Sequence, residues 1–203
     1  WPNCHLHVDA TQAVGKIPVS FEGVDTMSLT AHKFYGLNGI GLLLKRRRLA
    51  LEPLIHGGES TTIYRSGTPT VALAALNSAV NELPERSARV KEANLYLRTA
   101  LSKYPKVRIN SPESAIPHIL NLSVENVKGT VFQRELDAEG VCVSVKSACS
   151  SDGLPSRAVF AVSRDRKNAL SSWRISLSHL TTQEELDGFL RAFDACYTRL
   201  TQL

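Results

Sequence analysis

Apolar and polar positions along this chain follow two periods, one near two residues and one near three and a half. Close to the N-terminus, Cys4-His-Leu-His-Val8, Asp25-Thr-Met-Ser-Leu29 and Ile40-Gly-Leu-Leu-Leu44 read as three short strands with glycines between them. Residues 46 to 69 read as loop, punctuated by Pro53, Gly57, Gly58, Gly67 and Pro69. After Pro69 the period becomes helical. Val71, Ala74, Ala75, Val80 and Leu83 form one apolar stripe that ends near Pro84, and the charged segment Glu85 to Lys103 continues as a second helix. The composition shift near residue 80 predicts a boundary between a unit 1–80 and a unit 81–203. Beyond it, Lys106–Ile109 and His118–Val124 read as strands. Thr130–Glu139 reads as a helix stopped by Gly140, Val141–Val145 as a strand of strict alternation, and Ser172–Ser178 as another strand. The last helix opens on a capping box, Thr181-x-x-Glu184. Leu186, Phe189, Leu190, Phe193, Tyr197 and Leu200 then recur at helical spacing. Strands and helices mixed in this way predict an α/β or α+β protein.

The 203 residues are 43% hydrophobic and 21% charged, a composition that excludes a disordered or collagen-like chain and is long enough to bury a core. No apolar run approaches the roughly 20 residues that span a bilayer, so no membrane partner is expected. Gly39–Leu44 is strand-sized and runs into Lys45-Arg-Arg-Arg48. That basic run carries much of the net charge of +5. It has no interleaved aromatics, so it predicts a strand end or turn and no direct nucleic-acid partner. Cys4, Cys142, Cys149 and Cys196 contain no CxxC pair, which excludes a zinc ribbon or thioredoxin-type motif. No charged-then-apolar signal opens the sequence, and unpaired thiols then predict a cytoplasmic, reducing setting. Trp1 stands where the chain already reads as mid-strand, so the sequence predicts a piece of a longer or processed protein.

Five groups of residues could carry chemistry. His5-x-His7-x-Asp9 places two imidazoles and a carboxylate on one face of a strand, a possible zinc site; the plain alternative is a satisfied strand-end pair. Lys33 sits beside His32 after an apolar strand, in Ser28-Leu-Thr-Ala-His-Lys-Phe-Tyr-Gly36. A lysine partly removed from water can form a Schiff base, and the alternative is an exposed turn lysine. Tyr64-Arg-Ser-Gly-Thr-Pro69 offers an Arg, hydroxyls and a Gly in one turn, enough to hold a phosphate or merely to turn the chain. Cys149 leaves an apolar strand into a small polar segment, Lys146-Ser-Ala-Cys-Ser-Ser-Asp-Gly153, as an exposed and mobile thiol would. Cys142 and Cys196 read as core. Arg174 lies inside a strand pattern, where a charged group needs a partner; a ligand carboxylate gripped by two parallel hydrogen bonds is one, and an outward-facing strand Arg is the alternative.

In order, His7-Val-Asp-Ala-Thr-Gln12, Thr30-Ala-His-Lys33, His56-Gly-Gly58, Arg65-Ser-Gly-Thr68, Ser147-Ala-Cys-Ser150 and Arg174-Ile-Ser resemble the NifS/IscS-type cysteine desulfurases, pyridoxal-phosphate enzymes of the class V aminotransferase group. The resemblance runs over essentially the whole chain. The Ser-Ala-Cys-Ser loop points to desulfurase, whereas the other elements belong to the wider group. The resemblance implies the α/β fold type I of PLP-dependent transferases: residues 1–80 as the C-terminal part of the large PLP-binding domain, and 81–203 as a small α+β domain. The N-terminal half of the large domain would be missing. It implies that Lys33 holds pyridoxal 5'-phosphate and that Asp9 pairs with its pyridine nitrogen. Gln12 would bond its phenolic oxygen, Thr30 and His32 its phosphate, and Thr68 the phosphate in the partner subunit of a homodimer. Arg174 would bind the carboxylate of L-cysteine, and Cys149 would take the sulfur as a persulfide. Alanine would leave, and the sulfur would pass to an acceptor protein for iron–sulfur clusters or tRNA thiolation. Thr30 stands where the family more often has Ser. The sequence departs from the pattern in three further places: the segment after His56 is poorer in Gly and lacks a usual Gln, Val145-Lys stands before Ser-Ala-Cys where Ser-Gly is common, and the loop is about one residue short before Pro155. Three rivals remain: a selenocysteine lyase or another class V relative, a non-catalytic remnant or binding module, and a metal hydrolase on His5, His7 and Asp9.

Overall fold

β1 (His7–Asp9) pairs in parallel with β2 (Thr26–Thr30), and β2 pairs antiparallel with β3 (Gly41–Lys45). This sheet belongs to the first of two units, Trp1–Pro84 and Glu85–Leu203, in the computed structural model, which describes residues 3–58, 62–67, 82–145 and 154–202. The apolar stripe expected over residues 71–80 lies outside the described residues. Only small apolar groups anchor the sheet: Ala10, Val24 and Met27 in one cluster, Ala31 and Phe34 in a second that Leu83 also packs against. Gly15 sits at φ +83°, and a Cβ there would come within 2.5 Å of the Phe34 Cβ, so backbone conformation and close packing both require glycine. The basic run is a strand end and turn. Lys45 donates to the carbonyls of Arg46 and Leu49, Arg46 donates to those of Val24 and Phe21, and Arg48 pairs with Asp25 at 3.6 Å.

The second unit is a three-stranded antiparallel sheet covered on one face by helices. β5 (Ile119–Val124) lies between β4 (Val107–Ile109) and β6 (Ser172–Ser176). α1 (Leu83–Leu101), α2 (Gly129–Ala138) and α5 (Gln183–Thr201) supply the apolar stripes. Strand alternation sends Leu120, Leu122 and Val124 of β5, with Trp173 and Ile175 of β6, to the helical side. There they meet Leu97, Phe132, Leu136, Phe189 and Phe193. Two short helices, α3 (Arg157–Ser163) and α4 (Arg166–Ser171), have no counterpart in the sequence pattern; Ser156 and Asp165 cap them. No helix among the described residues is long and apolar enough to cross a membrane.

Three local expectations change. Val141–Val145 is no strand but a single antiparallel bridge, Ser144 to Arg174. Its alternation is nevertheless real: Val141, Val143 and Val145 pack against the core, which turns Cys142 to solvent rather than inward. The capping box sits one residue later than expected. Thr182 accepts from the Glu185 amide at 3.2 Å, and the Glu185 carboxylate accepts from the Thr182 amide at 2.8 Å. The earlier frame fails because the Thr181 hydroxyl already accepts from the Ser178 amide. Thr182→Ala is expected to destabilise the second unit by about 1 kcal/mol, whereas Thr181→Ala leaves the cap intact; urea denaturation of both variants checks this.

Candidate functional site

The first unit gathers chemistry-bearing residues at the ends of β1 and β2. His5 Nε2 and His7 Nδ1 both reach the Thr26 hydroxyl, at 2.8 and 2.9 Å, and Ser28 lies 3.3 Å from His7 Nε2. One hydroxyl carries one hydrogen, so at least one of the two rings donates to Thr26. Asp9 is not part of this pair. Its carboxylate accepts from the Thr11 amide at 2.9 Å, and Thr11 holds it below the usual carboxylate range. Among the described residues no group of three or more His, Cys, Asp and Glu is placed to hold a metal ion. Asp9 stands opposite Ser28 in the β1–β2 register, and Gln12 follows in the next turn, accepting from Lys16 at 2.9 Å.

β2 runs directly into a 3-10 turn, Ala31–Phe34. Ala31 and Phe34 turn inward, which leaves His32 and Lys33 exposed. Burial, and then the charge of Lys33, push the Lys16 ammonium below its ordinary value. The Thr30 hydroxyl donates to the Ile40 carbonyl at 2.8 Å and lies 3.0 Å from His32 Nδ1. Its single hydrogen is committed to Ile40, so His32 Nδ1 donates in that contact, and in a neutral ring Nε2 is then an acceptor. His56 and Arg65 are exposed, and Thr68 lies outside the described residues.

The second unit contains a cleft of about 850 Å³. Arg108, Arg157 and Arg174 line it, with no Asp or Glu among the described lining residues. Arg174 is half-buried on β6. Its backbone donates to the Ser144 carbonyl at 2.7 Å and accepts from the Ser144 amide at 3.1 Å. Its Nε is buried and has no hydrogen-bond partner among the described residues. A buried, unpartnered N–H costs free energy until an acceptor reaches it, so this guanidinium is prepared for an anion. Cys149 lies outside the described residues, but the segment that bears it is flanked by Val145 and Leu154, and both line the cleft. Of the other thiols, Cys4 and Cys142 are exposed. Cys196 is fully buried, and burial pushes its thiol up, as suits a structural residue. Sequence reading passed over Asn110, Asn121 and Arg157 in the same wall. The available signal was a polar residue at the centre of an apolar strand, Ile119-Leu-Asn-Leu122.

Residues 2–189 match the model of the aminotransferase class-V family. The chain belongs to this family. Among class-V relatives it is 37% identical to the cysteine desulfurase IscS of Dictyoglomus turgidum over 97% of its own length and 52% of that protein's. With the cysteine desulfurase IscS of Proteus mirabilis it shares 39% identity, covering 97% and 51%. With a NifS/IcsS protein homolog of Lactobacillus delbrueckii it shares 34%, covering 100% and 56%. The chain spans about half the length of the curated relatives it matches. A solved NifS-like protein superposes on all of it with a TM-score of 0.79 at 34% identity, over 54% of the solved chain. A NifS-like protein from Rickettsia africae superposes on 96% of it with a TM-score of 0.77 at 28% identity. The α/β fold implied by the resemblance is therefore present as part of the class-V aminotransferase fold, over about half of these neighbours' length.

Proposed function

We propose that this chain is the C-terminal half of a cysteine desulfurase that binds pyridoxal 5'-phosphate. Residues 1–80 belong to the cofactor domain and 81–203 to a small domain, in a cytoplasmic homodimer that passes sulfur to an acceptor protein. One observation carries the reading. Within the second unit, an arginine with an unpartnered Nε and both flanks of the Cys149 segment line the same cleft.

The residues of the first unit fit the cofactor by their chemistry. Asp9, held ionised by Thr11, suits a protonated pyridine nitrogen, and Gln12 suits a phenolic oxygen. Thr30 fixes the His32 ring, which would donate to a phosphate from Nε2 only in its doubly protonated form, and Lys33 presents an exposed amine one residue on. Thr68 would reach the phosphate in the partner subunit. When bound, the cofactor supplies an electron sink for bond changes at the substrate's α- and β-carbons. Arg174 binds and orients the carboxylate of L-cysteine. The Lys33 amine takes the α-proton and returns it to the α-carbon before the product leaves. The Cys149 thiolate forms a bond to the substrate sulfur as the substrate Cβ–S bond breaks. The electron pair left on carbon takes a proton, so the products are L-alanine and a Cys149 persulfide. A short, polar cysteine segment suits a thiol that must reach substrate and then an acceptor.

The test is cofactor trapping. The purified chain is mixed with pyridoxal 5'-phosphate, reduced with borohydride and mapped by mass spectrometry. A single adduct on Lys33, absent from Lys33→Ala, is expected, and in a separate unreduced sample L-alanine and a persulfide on Cys149 when L-cysteine is added. Scattered surface adducts, or none, would overturn the idea that these residues alone form a working half-site.

A further inference from the structure

β5 sends Leu120, Leu122 and Val124 into the core, so Asn121 and Ser123 take the opposite face. Asn121 stands directly across from Arg174 in the β5–β6 register. The Arg174 backbone bonds to Ser144 on its far side. The Asn121 amide donates to Ser111 Oγ at 2.9 Å, and the Asn121 carbonyl accepts from the Asn110 amide at 2.8 Å. The two backbones therefore point away from each other, which makes this a non-hydrogen-bonded pair. In such pairs the Cα atoms lie about 4.5 Å apart and the side chains come closest.

A chain of side-chain amides fixes which way Asn121 faces. Asn168 Nδ2 donates to Asn110 Oδ1 at 2.9 Å. Asn110 must then turn its own Nδ2 the other way, where it donates to Asn121 Oδ1 at 2.9 Å and to Ser123 Oγ at 2.7 Å. The Ser123 hydroxyl donates onward to the Asn168 carbonyl at 3.1 Å, so it can only accept from Asn110. With its oxygen held, Asn121 turns Nδ2 out of the network, and that nitrogen has no partner among the described residues. The neighbouring Arg174 Nε is buried and unpartnered as well. Two paired residues thus offer N–H donors, and both line a cleft with no carboxylate among its described lining residues.

We infer that Asn121 is a second carboxylate-binding residue. Its Nδ2 donates to one oxygen of the amino-acid carboxylate that Arg174 grips, while Asn110 and Asn168 are positioning residues that keep its donor turned outward. A neutral carboxamide fails here, because its NH₂ would meet a donor. This role rests on the reading of Arg174 given above.

The experiment uses the 203-residue chain, ¹⁵N-labelled and titrated with L-alanine, with L-alaninamide as the control. L-Alanine is expected to shift both the Asn121 side-chain amide and the Arg174 Nε–H resonances, and L-alaninamide neither. Asn121→Ala should weaken L-alanine binding about tenfold, the usual loss for one hydrogen bond to a charged group. Asn121→Asp, with the same shape but an acceptor in place of the donor, should weaken it further. Asn168→Ala touches no ligand; it should move the ligand-free Asn121 Nδ2 resonance and weaken binding by less. If Asn121→Ala binds L-alanine as wild type does while Arg174→Gln loses it, the role of Asn121 is overturned and that of Arg174 stands. If L-alanine moves neither resonance, or Arg174→Gln binds normally, the reading of Arg174 falls and this role falls with it. The wild-type shifts decide the matter even where a variant fails to fold.

Discussion

Phe193→Ala is expected to cost the second unit about 3–5 kcal/mol, the range for removing a buried aromatic ring, out of a total stability that is typically about 5–15 kcal/mol. Phe193 is fully buried on α5. Its ring centroid lies 5.0 Å from Tyr104, 5.2 Å from Phe132, 6.1 Å from Trp173 and 5.9 Å from both Phe189 and Tyr197. Removing it leaves a cavity ringed by five aromatic side chains that cannot all move inward, because Trp173 is stacked on Phe132 at 5.1 Å. Trp173 immediately precedes Arg174, so loss of this packing should also weaken the carboxylate binding proposed for the cleft. Phe160 is the control. It is exposed on α3, and Phe160→Ala should shift stability by no more than about 0.5 kcal/mol. Urea titrations followed by near-ultraviolet circular dichroism of the aromatic cluster measure both. Equal midpoints for the two variants would contradict the expectation.

Two glycine-to-alanine changes should move stability in opposite directions. Gly129 is the first residue of α2, and a Cβ there would lie 2.4 Å from the Ser172 carbonyl oxygen and 3.1 Å from its carbon. Those atoms cannot yield as the end of a flexible side chain would. Ser172 is fully buried, begins β6, and is paired with Ser123 of β5. The first turn of α2 must retreat instead, drawing Phe132 away from Trp173. Overpacking of this kind costs about 1–3 kcal/mol. Gly188 lies inside α5 with nothing nearer to a Cβ than the end of Arg191 at 3.7 Å. Gly188→Ala therefore keeps only the benefit of a better helix former and should stabilise by about 0.5–1 kcal/mol. Denaturation midpoints that fall for Gly129→Ala and rise for Gly188→Ala confirm the pair; a common sign refutes it.

Much of this structure was legible where one residue decided one local outcome. A period of 3.6 located α5, short apolar runs located β5 and β6, and a charged residue inside a strand pattern singled out Arg174. The misses have physical causes. α3 and α4 are too short to complete an apolar period, and only their caps, Ser156 and Asp165, could have marked them. The final capping box was ambiguous because Thr181-Thr182 and Glu184-Glu185 offer two frames, and a hydrogen bond from Ser178 selects between them. Cys142 went to the wrong side because alternation gives two faces without saying which is the core; three valines settle it. The Asn110–Asn121–Asn168 relay was illegible for a different reason: its members meet only after β4, β5 and α4 have assembled. The His5–His7 pair carries the same lesson, since its common partner, Thr26, arrives from the next strand.

The clustered arginines also have a kinetic consequence. Arg108, Arg157 and Arg174 share one cleft, and among the described residues Asp165 lies 3.6 Å from the first of them. These three guanidinium groups therefore contribute a positive potential that reaches into solvent over the Debye length, about 10 Å at 0.1 M salt. A zwitterionic amino acid has no net charge and gains little from that long-range pull. Phosphate or sulfate gains a great deal, because steering acts on the whole charge of the approaching ion. At low ionic strength multivalent anions are thus drawn to the entrance and, on the reading proposed for Arg174, compete there with an amino-acid carboxylate. Added monovalent salt removes their advantage before it touches the short-range grip on a seated carboxylate. Buffer choice alone can then change the apparent affinity for an amino acid without any change in the protein.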